Sequence, residues 1–411
     1  MIEKITFQNY KLFREEQELE LRPLTILIGK NSSGKSAITK LLPLIENSIS
    51  GELDMNEPLL LNNNGVEVGS EFRDLVYGRH EVGALEFELY QNQDYLYVQI
   101  ASGTRINDIP KITQWKLSDT GKEIINYQYN DRTKQYLDLY RGLNAKPIFN
   151  GINLSTSDSS NLKTYPLNNS TLSNRGFKLT TNYIGPYRFV PPPIIDFKNI
   201  KNGKMGIEGT NAYSYLVKDA LHNNGKILNQ LSDWYSENFE GWGLNIKLDN
   251  RPHYELELIR KNPNFSINFS QVGQGMIQSL PMVLSSFIPS SHNDLINIFE
   301  QPELHLHPAA HGNLAERFAN STIGTNKRYL IETHSQNFVL RLRRLVAEGK
   351  LNKDKLRIYY VNFDEEKGES KLEEIKVYEN GKVDSWPSNI FSETLIETEA
   401  IHSAQMQNPY K

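Results

Sequence analysis

One stretch of the sequence combines glycines, a lysine and a serine at a spacing that suits phosphate binding. Eight consecutive residues match the pattern G-x-x-x-x-G-K-[ST]: Gly29, Lys30, Asn31, Ser32, Ser33, Gly34, Lys35 and Ser36. The glycines let the backbone curl so that successive N–H groups point at one phosphate group, and a following helix adds the positive end of its dipole. Lys35 would reach the outer phosphates and Ser36 would take one position on Mg²⁺. We therefore predict a nucleotide site between a strand and a helix.

An acid at the end of a neighbouring strand is the second requirement, because it holds Mg²⁺ through its water shell. Glu300 directly follows the apolar run 295–299 and is the best candidate. The next residue, Gln301, can orient water but is a poor base, so hydrolysis would be slow unless Glu303 compensates. In an alternative register, Glu300 itself activates the water. More than half of the chain separates Glu300 from Lys35, which implies a large insertion between them.

Hydrophobic periodicity predicts the elements that position these residues. Strands are predicted at residues 2–7, 17–21, 24–28, 295–299, 329–331 and 356–363, with hairpins at 83–101, 113–140 and, turned at Asn380 and Gly381, 372–386. Helices are predicted at residues 36–49, within 212–239, after Pro308 and at 336–348. Alternating strands and helices in the last third imply a parallel sheet flanked by helices, so the predicted class is α/β.

Three regions follow from these elements. Residues 1–145 are predicted to form an N-terminal lobe with the phosphate loop. Residues 146–253 would be an insertion that contains helices and, at 150–175, a polar surface loop rich in Ser, Asn and Thr. Residues 254–411 would form a C-terminal lobe with the acidic strand end and the last hairpin.

Composition excludes several classes of protein. The 411 residues include no cysteine, which rules out disulfides, a thiol nucleophile and cysteine-based zinc sites. The 45 Lys and Arg nearly balance the 49 Asp and Glu, which argues against an overall basic surface for nucleic acid. Neither a signal-peptide pattern nor an apolar run of about 18 residues is apparent. We therefore expect a cytoplasmic protein without a membrane segment.

Four further segments carry a specific resemblance. They are EQPELHLHP at 300–308, ETHSQ at 332–336, SQVGQGMIQSLP at 270–281 and NYIGPYR at 182–188. With the phosphate loop, they resemble the ABC-like AAA ATPases related to the overcoming-lysogenization-defect (OLD) nucleases. The resemblance is strongest over residues 1–45, 180–190 and 265–363. It implies an ABC-type P-loop ATPase head with a mixed β-sheet lobe, a parallel core sheet and a helical insertion.

The resemblance also implies roles for single residues. In that family, two subunits pack head to tail and sandwich ATP with Mg²⁺ between the phosphate loop of one and a glycine-containing signature of the other, here Gly273 and Gly275. His334 would sense the γ-phosphate, and Glu300 would act with Ser36 on the metal side. At position 301, most ABC-type ATPases have a glutamate that polarises the attacking water, and Gln301 departs from that pattern.

Other residues near these motifs keep two interpretations each. Phe13 and Arg14 could neighbour the adenine. Arg188 could reach a phosphate or an acid of the partner subunit, or it could be structural. His305 and His307 could present two imidazoles to zinc, although a position at the dimer interface suits the resemblance better.

The resemblance stops short of an effector. The residues after 363 are too few for the Toprim nuclease domain of OLD nucleases, so we expect a homodimer or higher oligomer that regulates a separate nuclease or toxin in anti-phage defence. The alternatives are a DNA-repair or chromosome-maintenance ATPase that binds DNA directly, and a nucleotide-dependent scaffold without turnover. Arg341, Arg343 and Arg344 on one predicted helix would be a solvated face or a contact with nucleic acid or a partner.

Overall fold

The computed structural model describes residues 1–50, 57–80, 83–102, 109–154, 177–197, 204–248, 252–260, 262, 264–289, 295–387 and 390–407. The strands are β1 (Lys4–Gln8), β2 (Gln17–Glu20), β3 (Leu24–Ile28), β4 (Asn62–Asn63), β5 (Val66–Glu67), β6 (Ala84–Gln91), β7 (Asp94–Ala101), β8 (Lys111–Asp119), β9 (Lys122–Asn130), β10 (Gln135–Asp138), β11 (Leu143–Ala145), β12 (Phe149–Asn150), β13 (Asn153–Leu154), β14 (Thr180–Ile184), β15 (Ile195–Asp196), β16 (Trp242–Lys247), β17 (His253–Arg260), β18 (Phe265–Asn268), β19 (Leu295–Glu300), β20 (Arg328–Glu332), β21 (Leu356–Asp364) and β22 (Glu369–Ile375). The α-helices are α1 (Lys35–Ile49), α2 (Asn211–His222), α3 (Lys226–Asn238), α4 (Gln274–Phe287), α5 (Pro308–Ser321), α6 (Gln336–Ala347) and α7 (Glu393–Gln407).

A central sheet carries the acidic strand ends to the phosphate loop. Its strand order is β14–β19–β20–β3–β21–β22, with parallel neighbours from β14 to β21 and an antiparallel β22. Every residue of β3 is buried, as a parallel strand covered on both faces requires. Glu300 is the register partner of Glu332, which in turn is the partner of Leu27. The carboxyl ends of three strands therefore meet at one edge, and the predicted α/β class with a parallel core sheet is confirmed.

The second large sheet is antiparallel, in the order β11–β10–β9–β8–β7–β6–β1–β2. Its strands β6 and β7 alternate between more and less buried residues, which gives the sheet one apolar face. On that face, Phe87 of β6 shares a core with Ile38 and Leu42 of α1 and with Leu27 of β3. Ile26, on the other face of β3, belongs to a second core with helices α4, α5 and α6. Helix α1 thus lies between the two sheets, which fix the position of its first turn.

The predicted helical region at 212–239 consists of two helices, α2 and α3. A buried carboxylate makes the junction, because Asp219 Oδ2 accepts the backbone N–H groups of Ile227 at 2.8 Å and of Leu228 at 2.9 Å. Those N–H groups belong to the first turn of α3, which has no partners within its own helix. Both helices contribute to the core that contains α4.

Two features of the region 146–253 add to the prediction. Strand β14 lies inside that range and yet pairs with β19 in the core sheet. The polar segment predicted at 150–175 begins with a short pair, β12 and β13, and residues 155–175 lie outside the described part of the chain.

The prediction of a hairpin at 372–386 is wrong in its pairing. Residues 372–375 belong to β22, which pairs along its length with β21, so the hairpin turns earlier, at residues 365–368. The turn at Asn380 and Gly381 does form, with Gly381 at φ +73°, but it closes only the isolated bridge between Val377 and Val383. A long pairing with β21 satisfies more backbone groups than a single bridge, which explains the outcome.

Helix α7 is absent from the prediction because it lacks the signal on which that prediction depends. Its side chains from 396 to 407 are all exposed, so it has no apolar stripe to mark a helical period. Within the described residues, no helix is both long and apolar enough to cross a membrane.

Candidate nucleotide-binding site

Two glycines shape the loop that joins β3 to α1. Gly29 has φ +155° and Gly34 has φ +101°, values that residues with a side chain rarely adopt. A Cβ at position 29 would lie 2.6 Å from the Val361 carbonyl oxygen, and one at position 34 would lie 3.2 Å from the Phe13 ring. Glycine therefore lets this loop curl closely against β21 and Phe13.

The remaining residues of the loop divide into an exposed tip and a buried base. Lys30, Asn31 and Ser32 are exposed, and Ser32 adopts φ +61°. Ser33 is buried, and its Oγ has no hydrogen-bond partner. The tip is thus open to a ligand, while the base is anchored through the Ser33 carbonyl, which accepts a hydrogen bond from Ser370 Oγ at 2.7 Å.

Lys35 ends inside the loop. Its Nζ donates to the carbonyl oxygens of Gly29 at 3.0 Å and of Lys30 at 2.7 Å. Burial lowers the pKa of Lys35, and the charges of Glu332 and Glu300 oppose that effect. No side chain caps the N-terminus of α1, and no acid lies in its first turn. Uncapped N–H groups and a buried ammonium at one loop favour an anion there.

Two carboxylates from neighbouring strands contact the first turn of α1. Ser36 Oγ donates to Glu332 Oε2 at 2.9 Å. Thr39 Oγ1 and Tyr183 Oη both donate to Glu300 Oε1, the latter at 2.7 Å. Both acids are buried. Glu300, predicted from its strand-end position, therefore lies beside the phosphate loop, and Glu332 lies beside it as well.

The two carboxylates repel each other in a buried setting. Burial, together with the charge of Glu300, raises the pKa of Glu332 to about 7, while Lys35 and the hydrogen bond from Ser36 act in the opposite direction. Two carboxylates next to a hydroxyl form an oxygen-rich setting of the kind that Mg²⁺ prefers.

Gln301, Glu303 and His334 form the next layer around these acids. Gln301 adopts φ +47°, and its N–H donates to the Glu332 carbonyl oxygen at 2.8 Å. Glu303 is buried, which raises its pKa, and its Oε1 accepts the backbone N–H of His334 at 2.7 Å. Glu303 is thus linked to the end of β20 through Oε1, while its Oε2 has no hydrogen-bond partner, and its part in hydrolysis stays a prediction.

The His334 imidazole lies 3.9 Å from Glu332, measured from Nε2 to Oε1. Burial, followed by the charge of Lys35, lowers the pKa of His334 to about 4. The ring is therefore neutral at neutral pH, and its contact with Glu332 is not an ion pair. A neutral imidazole in this position offers a hydrogen bond without adding charge.

The two candidate signature glycines have different surroundings. A Cβ at Gly275 would lie 2.6 Å from the His305 carbonyl oxygen, so packing within the chain already requires glycine there. Gly273 is the exposed N-cap of α4, and a Cβ on it would have nothing within 4 Å. The contacts within this chain therefore explain Gly275 but leave Gly273 facing open space.

The structure separates the remaining alternatives. Phe13 is fully buried and packs edge-on against Phe7 at 5.3 Å, so its ring is a wall of the loop and is not open to an adenine, whereas Arg14 is exposed and its place beside the adenine stays a prediction. His307 caps α5 by accepting the Ala309 N–H at 3.3 Å. Among the described residues, no group of three or more His, Asp or Glu side chains is arranged to hold a metal ion.

Sequence reasoning did not single out three of the contact residues: Glu332, Thr39 and Tyr183. Thr39 follows Ser36 by three positions, a spacing that places both on one face of a helix and could have revealed it. Glu332 ends its strand just as Glu300 does, and that shared position is the signal that could have identified it.

A parallel strand, a glycine loop with a lysine inside it, a helix N-terminus and acids on neighbouring strand ends define the class of P-loop ATPase domains. The sequence matches the model of the family described as "AAA ATPase domain" over residues 1–184 and 196–339, and the chain belongs to that family. Residues 351–401 match a second family, described as a protein of unknown function (DUF3696). No curated protein sequence matches significantly. The expected ATPase domain is confirmed, and the finer relationship to OLD ATPases stays a prediction.

Solved structures similar to this chain include three heads of SMC proteins. The SMC head domain from Thermotoga maritima has 10% identity and a TM-score of 0.44, covering 92% of this chain and 99% of that one. An SMC head bound to the C-terminal winged-helix domain of ScpA has 13% identity and a TM-score of 0.47, covering 91% and 98%. A Pyrococcus furiosus SMC head with an extended coiled coil, bound to the C-terminal domain of ScpA, has 12% identity and a TM-score of 0.45, covering 98% and 99%.

The raised pKa of Glu332 predicts a specific dependence of stability on pH. Between its ordinary value of 4.5 and about 7, the folded chain keeps a proton that the unfolded chain has lost. The contribution of Glu332 to stability is therefore complete below about pH 4.5 and is lost as the pH rises through about 7. Glu332→Gln removes this loss, so the melting temperature of the variant should rise relative to wild type between about pH 5 and about pH 8.

Thermal unfolding in a chelator, without nucleotide, checks this prediction. The exposed Glu397, on α7, supplies the control variant Glu397→Gln, which should follow wild type at every pH. A constant difference between Glu332→Gln and wild type across the range would contradict the predicted charge of the site.

Proposed function

We propose that this protein is an ABC-type ATPase that binds MgATP, closes as a dimer around the nucleotide and passes the nucleotide state to a separate effector. The observation that carries the proposal is the meeting of Glu300 and Glu332 with Ser36 and Thr39 on α1. Residues far apart in the chain thus contribute to one phosphate-binding loop, and their chemistry suits a nucleoside triphosphate with a divalent cation.

The phosphates of ATP would lie in the loop of residues 29–36. Lys35 donates hydrogen bonds to two carbonyl oxygens of the loop, and a phosphate bound there would replace one or both of them as acceptor. The Ser36 hydroxyl and the carboxylates of Glu300 and Glu332 would hold Mg²⁺ directly or through water, and the cation neutralises phosphate charge when bound. The raised pKa of Glu332 supports this assignment, because a cation would relieve the repulsion between the two acids.

The same contacts favour one register of the acidic strand end. Thr39 and Tyr183 hold the Glu300 carboxylate against α1, which suits a metal-side acid better than a mobile base. Gln301 then occupies the position that orients the attacking water, and an amide there makes hydrolysis slow. Glu303 fixes the backbone of His334, and the neutral imidazole would donate to the γ-phosphate.

Dimerisation rests on the resemblance and on Gly273. Its open surroundings at the N-terminus of α4 suit close approach of a phosphate held by a second subunit. We retain the division into 1–145, 146–253 and 254–411 for the two ATPase lobes and the insertion between them. The effector, the role in anti-phage defence and the cytoplasmic location follow from the resemblance and the composition.

Direct DNA binding receives less support from helix α6. Arg341 pairs with Glu316, and Arg344 Nε donates to Glu348 at 2.6 Å. Arg343 Nε donates to the Gly381 carbonyl oxygen at 3.0 Å. Because all three guanidinium groups have partners within the chain, this helix offers less positive charge than its sequence suggests.

Lys35→Ala should weaken MgATP binding by about 10- to 100-fold, the cost of one buried charge-assisted contact to phosphate. Isothermal titration calorimetry measures it. Lys122→Ala is the matched control and should bind MgATP as wild type does, because Lys122 is an exposed lysine on β9, outside the loop. Equal affinities for wild type and Lys35→Ala would contradict the assignment of the loop.

Substitutions at the acidic strand end should change turnover in opposite directions. Gln301→Glu supplies a base at the water position and should increase phosphate release, whereas Glu300→Gln should reduce it by about tenfold or more. Steady-state phosphate release from purified dimer checks both. If Glu300→Gln leaves turnover unchanged, the metal-side assignment of Glu300 is wrong.

A further inference from the structure

Arg188 is a buried cation beside the site that has no role in the chemistry described so far. It follows β14 after a short turn, and its side chain is only 6% exposed. Its Nη2 donates to the Glu300 carbonyl oxygen and, at 3.0 Å, to the Gln301 carbonyl oxygen. One guanidinium nitrogen thus binds two successive carbonyls at the end of the acidic strand.

This contact stabilises an unusual backbone conformation. The backbone of Gln301 adopts the left-handed conformation, with φ +47°, which is unfavourable for residues other than glycine. Its N–H donates to the Glu332 carbonyl oxygen at 2.8 Å, and its carbonyl oxygen accepts from Arg188 Nη2 and, at 3.1 Å, from the Leu304 N–H. Together these hydrogen bonds fix the turn that sets the direction of the Gln301 side chain.

The same arginine is tied to the helix that begins at Gly273. Gln278, on α4, donates from Nε2 to the Arg188 carbonyl oxygen at 3.1 Å. Helix α4 also contacts the acidic loop directly, where Gly275 packs against the His305 carbonyl oxygen. A movement of α4 would therefore reach residues 300–306 along two routes. The route through Arg188 reaches the carbonyls of Glu300 and Gln301 directly, whereas the other begins at His305.

Burial of the Arg188 guanidinium group in this place costs free energy. Its Nε and Nη1 are buried without hydrogen-bond partners. Glu303 Oε2, two residues after Gln301, is also buried without a partner. Burial lowers the pKa of Arg188 to about 10, and the charges of Glu303 and Glu300 oppose the shift. A hydrophobic side chain of similar volume would avoid the unpaired donors. The arrangement therefore favours a geometric role over a stabilising one.

We infer that Arg188 is a positioning residue that couples the signature helix α4 to the backbone of Gln301. When a phosphate contacts the N-terminus of α4, Gln278 moves with its helix and displaces Arg188, which carries the carbonyls of Glu300 and Gln301 with it. The state of the signature thus sets the orientation of the water-orienting amide in the same subunit. This inference rests on the proposed function, because it requires the assigned role of Gln301.

Two substitutions at Arg188 separate charge from geometry. Arg188→Lys keeps the positive charge but lacks the planar fork, and Arg188→Met keeps most of the length without the charge. The matched control is Arg317→Met. Arg317 lies on α5 and binds the other end of α4, where its Nε donates to Ser286 Oγ at 2.8 Å.

The experiment compares kcat, the dissociation constant for MgATP and amide exchange by mass spectrometry in the four proteins. Arg188→Lys and Arg188→Met should each lose about tenfold or more in kcat, while the dissociation constant changes less than about threefold. Exchange over residues 300–306 should accelerate in both Arg188 variants, with exchange in α5 unchanged. Arg317→Met should have the same kcat as wild type, and its amide exchange at residues 300–306 should be as slow as in wild type.

Two results would overturn the coupling role. The first is that Arg188→Lys has the same kcat and the same exchange at residues 300–306 as wild type. The second is that Arg317→Met loses as much kcat as the Arg188 variants. Both leave the proposed function intact. If wild type itself does not bind MgATP, the proposed function fails, and the inference fails with it.

Discussion

Two buried carboxylates, Glu300 and Glu332, face the first turn of one helix, and the surrounding site is organised around their charge. They are brought together by parallel register, because Glu300 pairs with Glu332 and Glu332 pairs with Leu27 just before the phosphate loop. The charge of Lys35 acts on both carboxylates. The pKa of Glu332 is nevertheless raised, by burial first and then by the charge of Glu300. Two carboxylates beside an uncapped helix N-terminus suit a ligand that brings both phosphate and a divalent cation.

The two sheets have separate tasks in building this arrangement. The parallel sheet fixes the carboxyl ends of β3, β19 and β20 relative to one another, while the antiparallel sheet packs on the opposite side of α1 and fixes the helix. The second core joins α4 to the other face of the parallel sheet. The Gln278 side chain therefore connects α4 to the acidic strand end through Arg188. The two regions expected to meet nucleotide are thereby linked through the backbone of Gln301.

Local features of this site were accessible from the sequence, and features that depend on register were not. The phosphate loop is eight consecutive residues with glycines that the backbone conformation requires, so its pattern is sufficient. Glu300 was identifiable from its place at a strand end. Glu332 also ends a strand, but its place beside Glu300 depends on which strand lies between β3 and β19, and pairing between distant strands has no local signal. The incorrect prediction of a hairpin at 372–386 has the same cause. The turn at Asn380 and Gly381 is a strong local signal, but residues 372–375 pair with β21 instead, as part of β22. Phe13 looked available beside the loop, but its burial against Gly34 is a tertiary fact.

The most direct test locates a divalent cation in the site. A crystal structure of the protein with Mn²⁺ and a non-hydrolysable ATP analogue would place the metal by its anomalous scattering. We expect one Mn²⁺ in contact with Ser36 Oγ and a phosphate oxygen. The carboxylates of Glu300 and Glu332 should bind this ion directly or through its water ligands. An analogue bound away from residues 29–36, or a metal remote from both carboxylates, would contradict it.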